Sequence, residues 1–567
     1  MDFETTNFYK GDPTYPDNHI VLACWTYQGN RYSHWGDERH QGLLLSHIEQ
    51  ADFFVAHNSK FELGWLKRMG ADLHKVLPYC TMIGEYTLAG NRKVDLSLDG
   101  TLKRRRIGSK HSLGQALVHG GVDPREVPES VLEEYCMQDV EDTDKIFRVQ
   151  WPEIVRNGLE RVLFTRNMFT PCLADIEFNG MLLDKERTEI EYRKTYEELN
   201  KVTVELNGIT GGINPNSTKQ MAEFIYDTLG FAELTDRKGN PIRTGAGKRS
   251  VSEETLGKLQ ARNRQQRDFL RLKATQGKLQ SRVSKYLEKF KQCCEENDGL
   301  LLFNFNQTIT QTGRLSSNGK IYKTQGQNLD RTLKPLFTAP EGYLCEERDY
   351  KQLEFRVAGE LTGDEQVMAD VLNGADVHAY TASVLTSSGQ ETTRQDAKSR
   401  TFKPLYGGES GTRAEKSYYE AFKRKYSRVT ECQTEWVSEA LKSKCLRMKT
   451  GLIFYFPDLS YSKSGYIHGS TQVKNYPVQY FATGEIVPIG VMSLWRSMKT
   501  LQLRSYIDNT IHDSIKTSTW PEEKELVDKL AVESLTQEVK RYMLNVYNIE
   551  LKYPLEIDVT SGTHWGK

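Results

Sequence analysis

The chain of 567 residues carries 76 basic and 76 acidic side chains, a formal charge of zero, and 38% of its residues are hydrophobic. That length exceeds what one hydrophobic core can serve and predicts two to four domains, while no window holds the roughly 18 apolar residues of a membrane span. Zero net charge excludes recognition of a polyanion by overall electrostatics and leaves only local clusters, such as Lys103-Arg104-Arg105-Arg106 and the basic positions between Arg394 and Lys403.

Nine cysteines without paired C-x-x-C spacing point to reduced thiols rather than a disulfide framework or a zinc site. The opening Met-Asp-Phe-Glu has no basic-then-apolar signal pattern, so a cytoplasmic setting is expected. In chain order, Asp2-Phe3-Glu4 precedes the apolar run Ile20 to Trp25. Alternation along a strand puts Asp2 and Glu4 on one face, half of a divalent-cation site. The run Phe53 to Ala56 leads through Asn58 into an amphipathic helix with Leu63, Leu66 and Met69, which places Glu62 near a helix start. Tyr135 and Asp139, four apart in a helix predicted over 131–147, share a face. Four carboxylates suit a pair of hard cations that attack a phosphodiester through a bound hydroxide, with the Tyr135 hydroxyl orienting the water.

Residues 173–184 predict a helix, a glycine turn and a short strand. Long polar helices are predicted over 185–206 and 253–290. Between them, Asn214 to Gln220 reads as a loop with a helix cap, and the Gly/Lys/Arg-rich stretch 237–249 as a mobile tip. Such helices fit either a clamp on a phosphate backbone or a helical linker.

Thr312-Gly313-Arg314-Leu315-Ser316-Ser317 and Gln327-Asn328-Leu329 offer small polar groups suited to sugar, phosphate or minor-groove contacts. Asp349 follows the apolar Tyr343, Leu344 and Cys345 and, taken alone, reads as a solvated strand end. Arg394, Lys398, Phe402 and Tyr406 lie four apart, one helical stripe drifting by about 40° per step. It presents two cations for phosphates and two rings for a base. Pro404 removes a backbone donor inside that stripe and predicts an early bend. Asn475 to Gln479 is read as opening another helix. The alternating stretch 503–517 predicts a hairpin with His512-Asp513 at its tip, and Asp513 supplies the second acid that a cation site at Asp349 needs.

Together, TGRLSS, DYKQLEFR, RQDAKSRTFKPLYGG, IHDSI and the closing Gly562-Thr563-His564-Trp565 resemble the polymerase region of family A DNA polymerases, the bacterial DNA polymerase I type and its phage relatives. Asp2, Glu4, Glu62, Tyr135 and Asp139 resemble the motifs of 3′–5′ proofreading exonucleases. The likeness implies a multidomain α/β and α+β fold, an RNase H-like 3′–5′ exonuclease domain followed by a right hand of palm, fingers and thumb. Its divisions are expected at 1–150 (exonuclease), 151–184 (palm lead-in), 185–310 (thumb), 311–370 (first palm part), 371–469 (fingers) and 470–567 (second palm part). The implied activity is template-directed addition of deoxynucleotides to a primer 3′ end, with an associated exonuclease. A single-subunit RNA polymerase, or a polymerase whose exonuclease domain is silent and structural, are the alternatives.

By the same resemblance, Asp349, Asp513 and the backbone carbonyl of Tyr350 hold two Mg²⁺ ions, with Mn²⁺ as a substitute, and Asp2, Glu4, Glu62 and Asp139 hold a second pair beside the catalytic Tyr135. Lys398 protonates pyrophosphate. Gln352, Glu354, His378, Arg394, Lys398, Phe402 and Tyr406 form the nucleotide site, where Glu354 excludes a ribose 2′-hydroxyl and Phe402 disfavours dideoxynucleotides. Arg314, Asn475, Gln479 and His512 contact DNA. The implied partners are primer–template DNA, dNTPs and phage or host replication proteins, for a phage-like monomer away from membranes. The chain departs from the pattern at Glu62 (usually Asp), Ser514 (commonly Glu) and Thr471 (Arg in many relatives). Only Met1 precedes the first acid, so a truncated first strand or a weak exonuclease is expected.

Overall fold

The computed structural model describes residues 1–36, 41–109, 113–236, 239–463 and 465–566. At the amino end, strands Asp2–Thr5, Ile20–Tyr27 and Asn30–Trp35 form an antiparallel sheet in that order. The middle strand is buried from Ile20 to Trp25, which is why it reads as a continuous apolar run. Strands Phe54–Ala56 and Pro78–Cys80 pair in parallel nearby, and Phe54–Ala56 leads into helix Lys60–Arg68 as expected.

Helix Glu129–Asn157 packs across the middle strand, with Leu132, Tyr135, Cys136 and Val140 against Leu22 and Cys24. It is longer than the predicted 131–147 and runs past residue 150, because Ile146, Gln150 and Ile154 continue its buried face.

Helix Glu160–Asn179 is buried over most of its length and packs against both helix Lys60–Arg68 and helix Val487–Thr500. It therefore ties the amino-terminal elements to the rest of the chain. It stops at Gly180, whose φ is 61° and where an added Cβ would lie 2.9 Å from the Leu301 carbonyl oxygen. Only glycine fits both conditions. The chain then forms strand Met181–Leu183 between Leu300–Leu301 and Phe337–Thr338, the predicted helix, turn and strand.

Helices Lys185–Thr210 and Arg264–Arg282 lie side by side, and their far ends enclose a separate small core of Leu206, Met221, Phe224, Ile225, Phe269 and Leu272. The single helix predicted over 253–290 is interrupted: a short helix Glu253–Leu256 ends at Gly257, and Asn263 caps the next by accepting from the Gln266 N–H at 2.8 Å. Beyond Arg282 one wider turn, Val283–Leu287, carries the helix on to Glu288–Glu296. The cap predicted in Asn214 to Gln220 is Ser217, which accepts from Gln220 N–H. Positions 237 and 238 of the expected mobile tip lie outside the described residues. The rest of it is mostly exposed, with bridges Thr235–Pro241 and Arg243–Arg249.

The carboxyl-terminal half is built on an antiparallel sheet in the order Tyr506–Ile511, Ser514–Thr519, Leu344–Tyr350, Ile557–Gly562. Asn475–Gln479 does not open a helix. It closes helix Ser470–Gln479, which begins after Gly469 (φ 83°) and passes through a wide turn, Tyr480–Ile486, into Val487–Thr500. Gly469 supplies the left-handed turn into this helix, a start without the usual side-chain cap.

Candidate active site

Asp349 lies near the end of the third-ordered strand of the large sheet, and Asp513 in the two-residue turn that joins the first two. His512 adopts the φ of 59° that such a turn requires, so the predicted hairpin tip is found where expected. Asp349 stands opposite Ser514, and the Tyr350 N–H donates to the Asp513 carbonyl at 3.1 Å. The two acids, 164 positions apart in the sequence, are thereby brought together by strand register.

Their environment resists negative charge. Asp349 is exposed at the surface, yet the protein around it, followed by the charges of Asp513 and Glu347, pushes its carboxyl up to about 7. Burial and Asp513 push Glu354 up to about 7 as well, against the pull of Arg314. Asp513 is raised by burial and by Glu347, with Arg314 and Lys334 opposing. A set of oxygen donors raised chiefly by burial, with like charges beside them, fits a hard divalent cation.

Arg314 and His512, both expected as DNA contacts, meet here: the guanidinium touches the His512 Nδ1. Burial, then Arg314 and Lys334, lowers the imidazole to about 4, so it is neutral at pH 7 and accepts from the arginine. Gln479 accepts from the Thr312 hydroxyl at 3.0 Å, and the Asn475 Oδ1 is buried without a hydrogen-bond partner. Gln327, read as a surface contact, is buried instead: its amide donates to the Thr510 carbonyl at 3.0 Å and secures the strand behind the hairpin tip. Gln352, with φ 50°, starts helix Leu353–Thr362, and its carbonyl accepts from Phe355 and Arg356 at 3.1 Å.

Helix Arg394–Thr401 carries Arg394 and Lys398 but ends before Phe402. Phe402 and Tyr406 lie in the turns that follow, where Tyr406 N–H donates to the Phe402 carbonyl at 3.1 Å and Gly407 N–H to that of Pro404 at 2.9 Å. The single four-residue stripe is thus corrected to a helix and a bend, for the reason Pro404 gave. Arg394 forms an ion pair with Asp376, whose carboxylate also caps the preceding helix, Val377–Ser387, through the His378 and Ala379 N–H groups at 3.0 Å. His378 holds Thr401 Oγ1 at 2.9 Å and meets Phe402 edge-on at 5.4 Å. Its basicity is lowered by burial, then by Lys398 and Arg394, which puts the three in one neighbourhood. Phe402 also faces Phe355, the residue after Glu354, at 6.2 Å.

A second cluster occupies the amino-terminal sheet. Oxygens of Asp2 and Glu4 and the Cys136 sulfur lie within 4.8 Å of one another. Glu62 is buried, its carboxyl raised well above the usual range by burial and Asp2, and its Oε2 has no hydrogen-bond partner. The Tyr135 phenol is raised by burial, then by Asp139, Glu4 and Asp2. Charge interactions link all five expected residues, and among the described residues Asp2, Glu4 and Cys136 bring ligand atoms within 4.8 Å of one another.

Two participants escaped the sequence. Glu347 shares the strand face of Asp349 at i−2, a period-two signal that could have found it. Cys136 follows Tyr135, and helix periodicity alone gives no reason to aim it at Asp2.

Residues 185–567 match the model of DNA polymerase family A. The chain is 27% identical over 476 residues to a thermostable DNA polymerase I of Thermus aquaticus, a match covering 77% of this chain and 53% of that protein. It is 22% identical over 540 residues to a DNA polymerase I of Borreliella burgdorferi, covering 90% and 55%. The chain spans about half the length of the curated relatives it matches. Among solved structures, the POL domain of Pol1 from M. smegmatis, in complex with DNA primer-template and dNTP, aligns over 100% of this chain and 95% of its own with a TM-score of 0.78 at 19% identity, a likeness of fold. The chain belongs to DNA polymerase family A.

Proposed function

We propose that this protein is a template-directed DNA polymerase that extends a primer 3′ end with deoxynucleotides. The observation that carries the reading is the register that sets Asp513 beside Asp349, where burial and neighbouring acids raise both carboxyls. Asp349, Asp513 and the Tyr350 carbonyl would hold two divalent cations, Mg²⁺ above all, which when bound neutralise charge in an in-line phosphoryl transfer.

The chain's own groups do the rest. Arg394 leaves Asp376 for the triphosphate, an exchange made easy because both are more than a third exposed. Lys398, on the same helix, protonates the departing pyrophosphate, and the neutral His378 donates a hydrogen bond to a phosphate oxygen. Phe402 and Tyr406 line the base and sugar pocket, and Glu354 occupies the space of a ribose 2′-hydroxyl. Arg314, bonded to neutral His512, holds the primer end beside the acids. In this reading the large sheet is the palm, 371–469 the fingers and 185–310 the thumb, with 1–150 a 3′–5′ exonuclease domain. The charge interactions that link Asp2, Glu4, Glu62, Tyr135 and Asp139 support that last assignment.

Primer extension with dNTPs and Mg²⁺ tests the polymerase, with Asp349→Ala as the inactive control. Removal of a mismatched 3′ end, compared with Asp139→Ala, tests the exonuclease; equal rates would leave that domain a structural role.

A further inference from the structure

We propose that Tyr86 is a positioning residue for primer extension: from a helix of the amino-terminal part, its hydroxyl sets the loop that carries Arg314 to the primer end. The inference rests on the polymerase reading above. Tyr86 is buried on helix Thr81–Ala89, which follows strand Pro78–Cys80. Its hydroxyl donates to the Thr310 carbonyl at 2.7 Å and accepts from the Gly313 N–H at 3.1 Å. Both groups belong to 307–315, a segment without helix or strand between the paired strands Phe303–Asn306 and Ser316–Gly319. No ladder satisfies the backbone of such a loop, so side chains must hold it.

The hold is dense around Arg314. The Thr310 hydroxyl donates to the Arg314 carbonyl at 2.5 Å, Gln311 accepts from the Tyr476 hydroxyl at 2.5 Å, and Thr312 bonds Gln479 at 3.0 Å. Gly313 takes a φ of 73°, and an added Cβ would lie 3.3 Å from the Arg166 Nη2, so the turn packs against that guanidinium. Arg166 in turn lies over the Tyr86 ring at 5.1 Å and donates to the Thr87 hydroxyl at 2.9 Å, which fixes the direction of the phenol. Arg314, next after Gly313, touches His512 and stands near Glu354 and Asp513. Reacting geometry is sensitive to shifts of about 1 Å, so a hydroxyl that fixes Thr310 and Gly313 acts on the primer end without touching it. A bare phenyl ring would fill the same space and leave the loop untied.

The test uses the full chain and Tyr86→Phe, which keeps the ring and removes the hydroxyl. Its KM for primer–template should rise about fivefold, the loss of a net hydrogen bond, with kcat and KM for dNTP changed by less than about twofold. A merely structural tyrosine would lower the active fraction instead, and so kcat, with KM unchanged. In an Arg314→Ala background the loop has nothing to deliver, so Tyr86→Phe should raise the primer–template Kd, read by fluorescence anisotropy, by less than about twofold. Hydrogen exchange over 307–315 should quicken in Tyr86→Phe. If that variant fails to fold, Tyr86→His, which keeps a ring under Arg166 but stops short of the loop, should show the same pattern. An unchanged KM for primer–template, unchanged exchange, or an equal rise in Kd with and without Arg314 would overturn the proposal, while extension by the parent upholds the polymerase reading. A parent that extends no primer overturns both.

Discussion

The hydroxyl of Ser514, the residue after Asp513, donates to the Glu347 carboxylate at 3.0 Å across two paired strands. Glu347 also accepts from the Lys334 ammonium at 2.7 and 3.0 Å, and Lys334 lies over the Trp565 ring at 4.4 Å. Where many relatives are expected to place a glutamate after the second acid, this chain has a carboxylate on the neighbouring strand, held by serine and lysine. Ser514→Ala removes one hydrogen bond and should cost about 1 kcal/mol of stability. Glu347→Gln removes a repulsive neighbour and leaves Lys334 facing Asp349, so the acid limb of Mg²⁺ binding should move to lower pH. Isothermal titration across pH 5.5 to 8 checks the direction.

The metal-free protein should respond to pH through Asp349 and Glu354. Both are raised to about 7 from values of 3.8 and 4.5. The folded state therefore binds more protons than the unfolded chain between those limits, and stability falls as pH rises towards 7. Asp349→Asn should raise the melting temperature of the metal-free protein at pH 8, with the gain gone by pH 4. Calorimetry at the two pH values decides it.

Glu346 behaves in the opposite sense. Burial pushes it up, but Lys524 and Arg348 prevail and hold it down to about 2. Its contribution is present above about 4.5, the unfolded value, and is lost as pH falls towards about 2. Arg348, fully buried, bonds Glu346 and Asp528 at 2.6 Å each and Thr517 at 2.6 Å. Glu346→Leu leaves that guanidinium short of a partner and should cost roughly 3–5 kcal/mol. Adding Arg348→Met should recover much of the loss, measured by chemical denaturation.

The Arg394–Asp376 pair is exposed and should contribute no more than about 1 kcal/mol to stability. Arg394→Ala should therefore leave the melting temperature nearly unchanged while raising KM for dNTPs roughly tenfold, the loss of a charged hydrogen bond. A fall in stability with KM unchanged would assign the arginine to the fold alone.

What could be read in advance was local. The glycine stop at Gly180, the hairpin tip at His512-Asp513 and the bend after Pro404 each follow from the conformational limits of one or two residues. The acids at Asp2, Glu4, Glu62 and Asp139 could be collected because strand and helix periods fix which side chains share a face. The break at Gly257 was hidden because polar helix formers continue on both sides of it. Glu347, Lys334 and Ser514 depend on cross-strand register, which no single strand encodes. The Arg348 network is of the same kind: a charged residue in a strand reads as solvated until Asp528, 180 residues later, is known to face it.

The central claim is that Asp349 and Asp513 act together on a cation-bound deoxynucleotide. Single-nucleotide extension of a matched primer, with dNTP or the corresponding rNTP, measures it for the parent, Asp349→Ala, Asp513→Ala and the double variant. Each single variant is predicted to abolish extension as completely as the double, with the parent preferring dNTP and Glu354→Ala relaxing that preference. Extension by Asp349→Ala at the parent's rate would contradict the account.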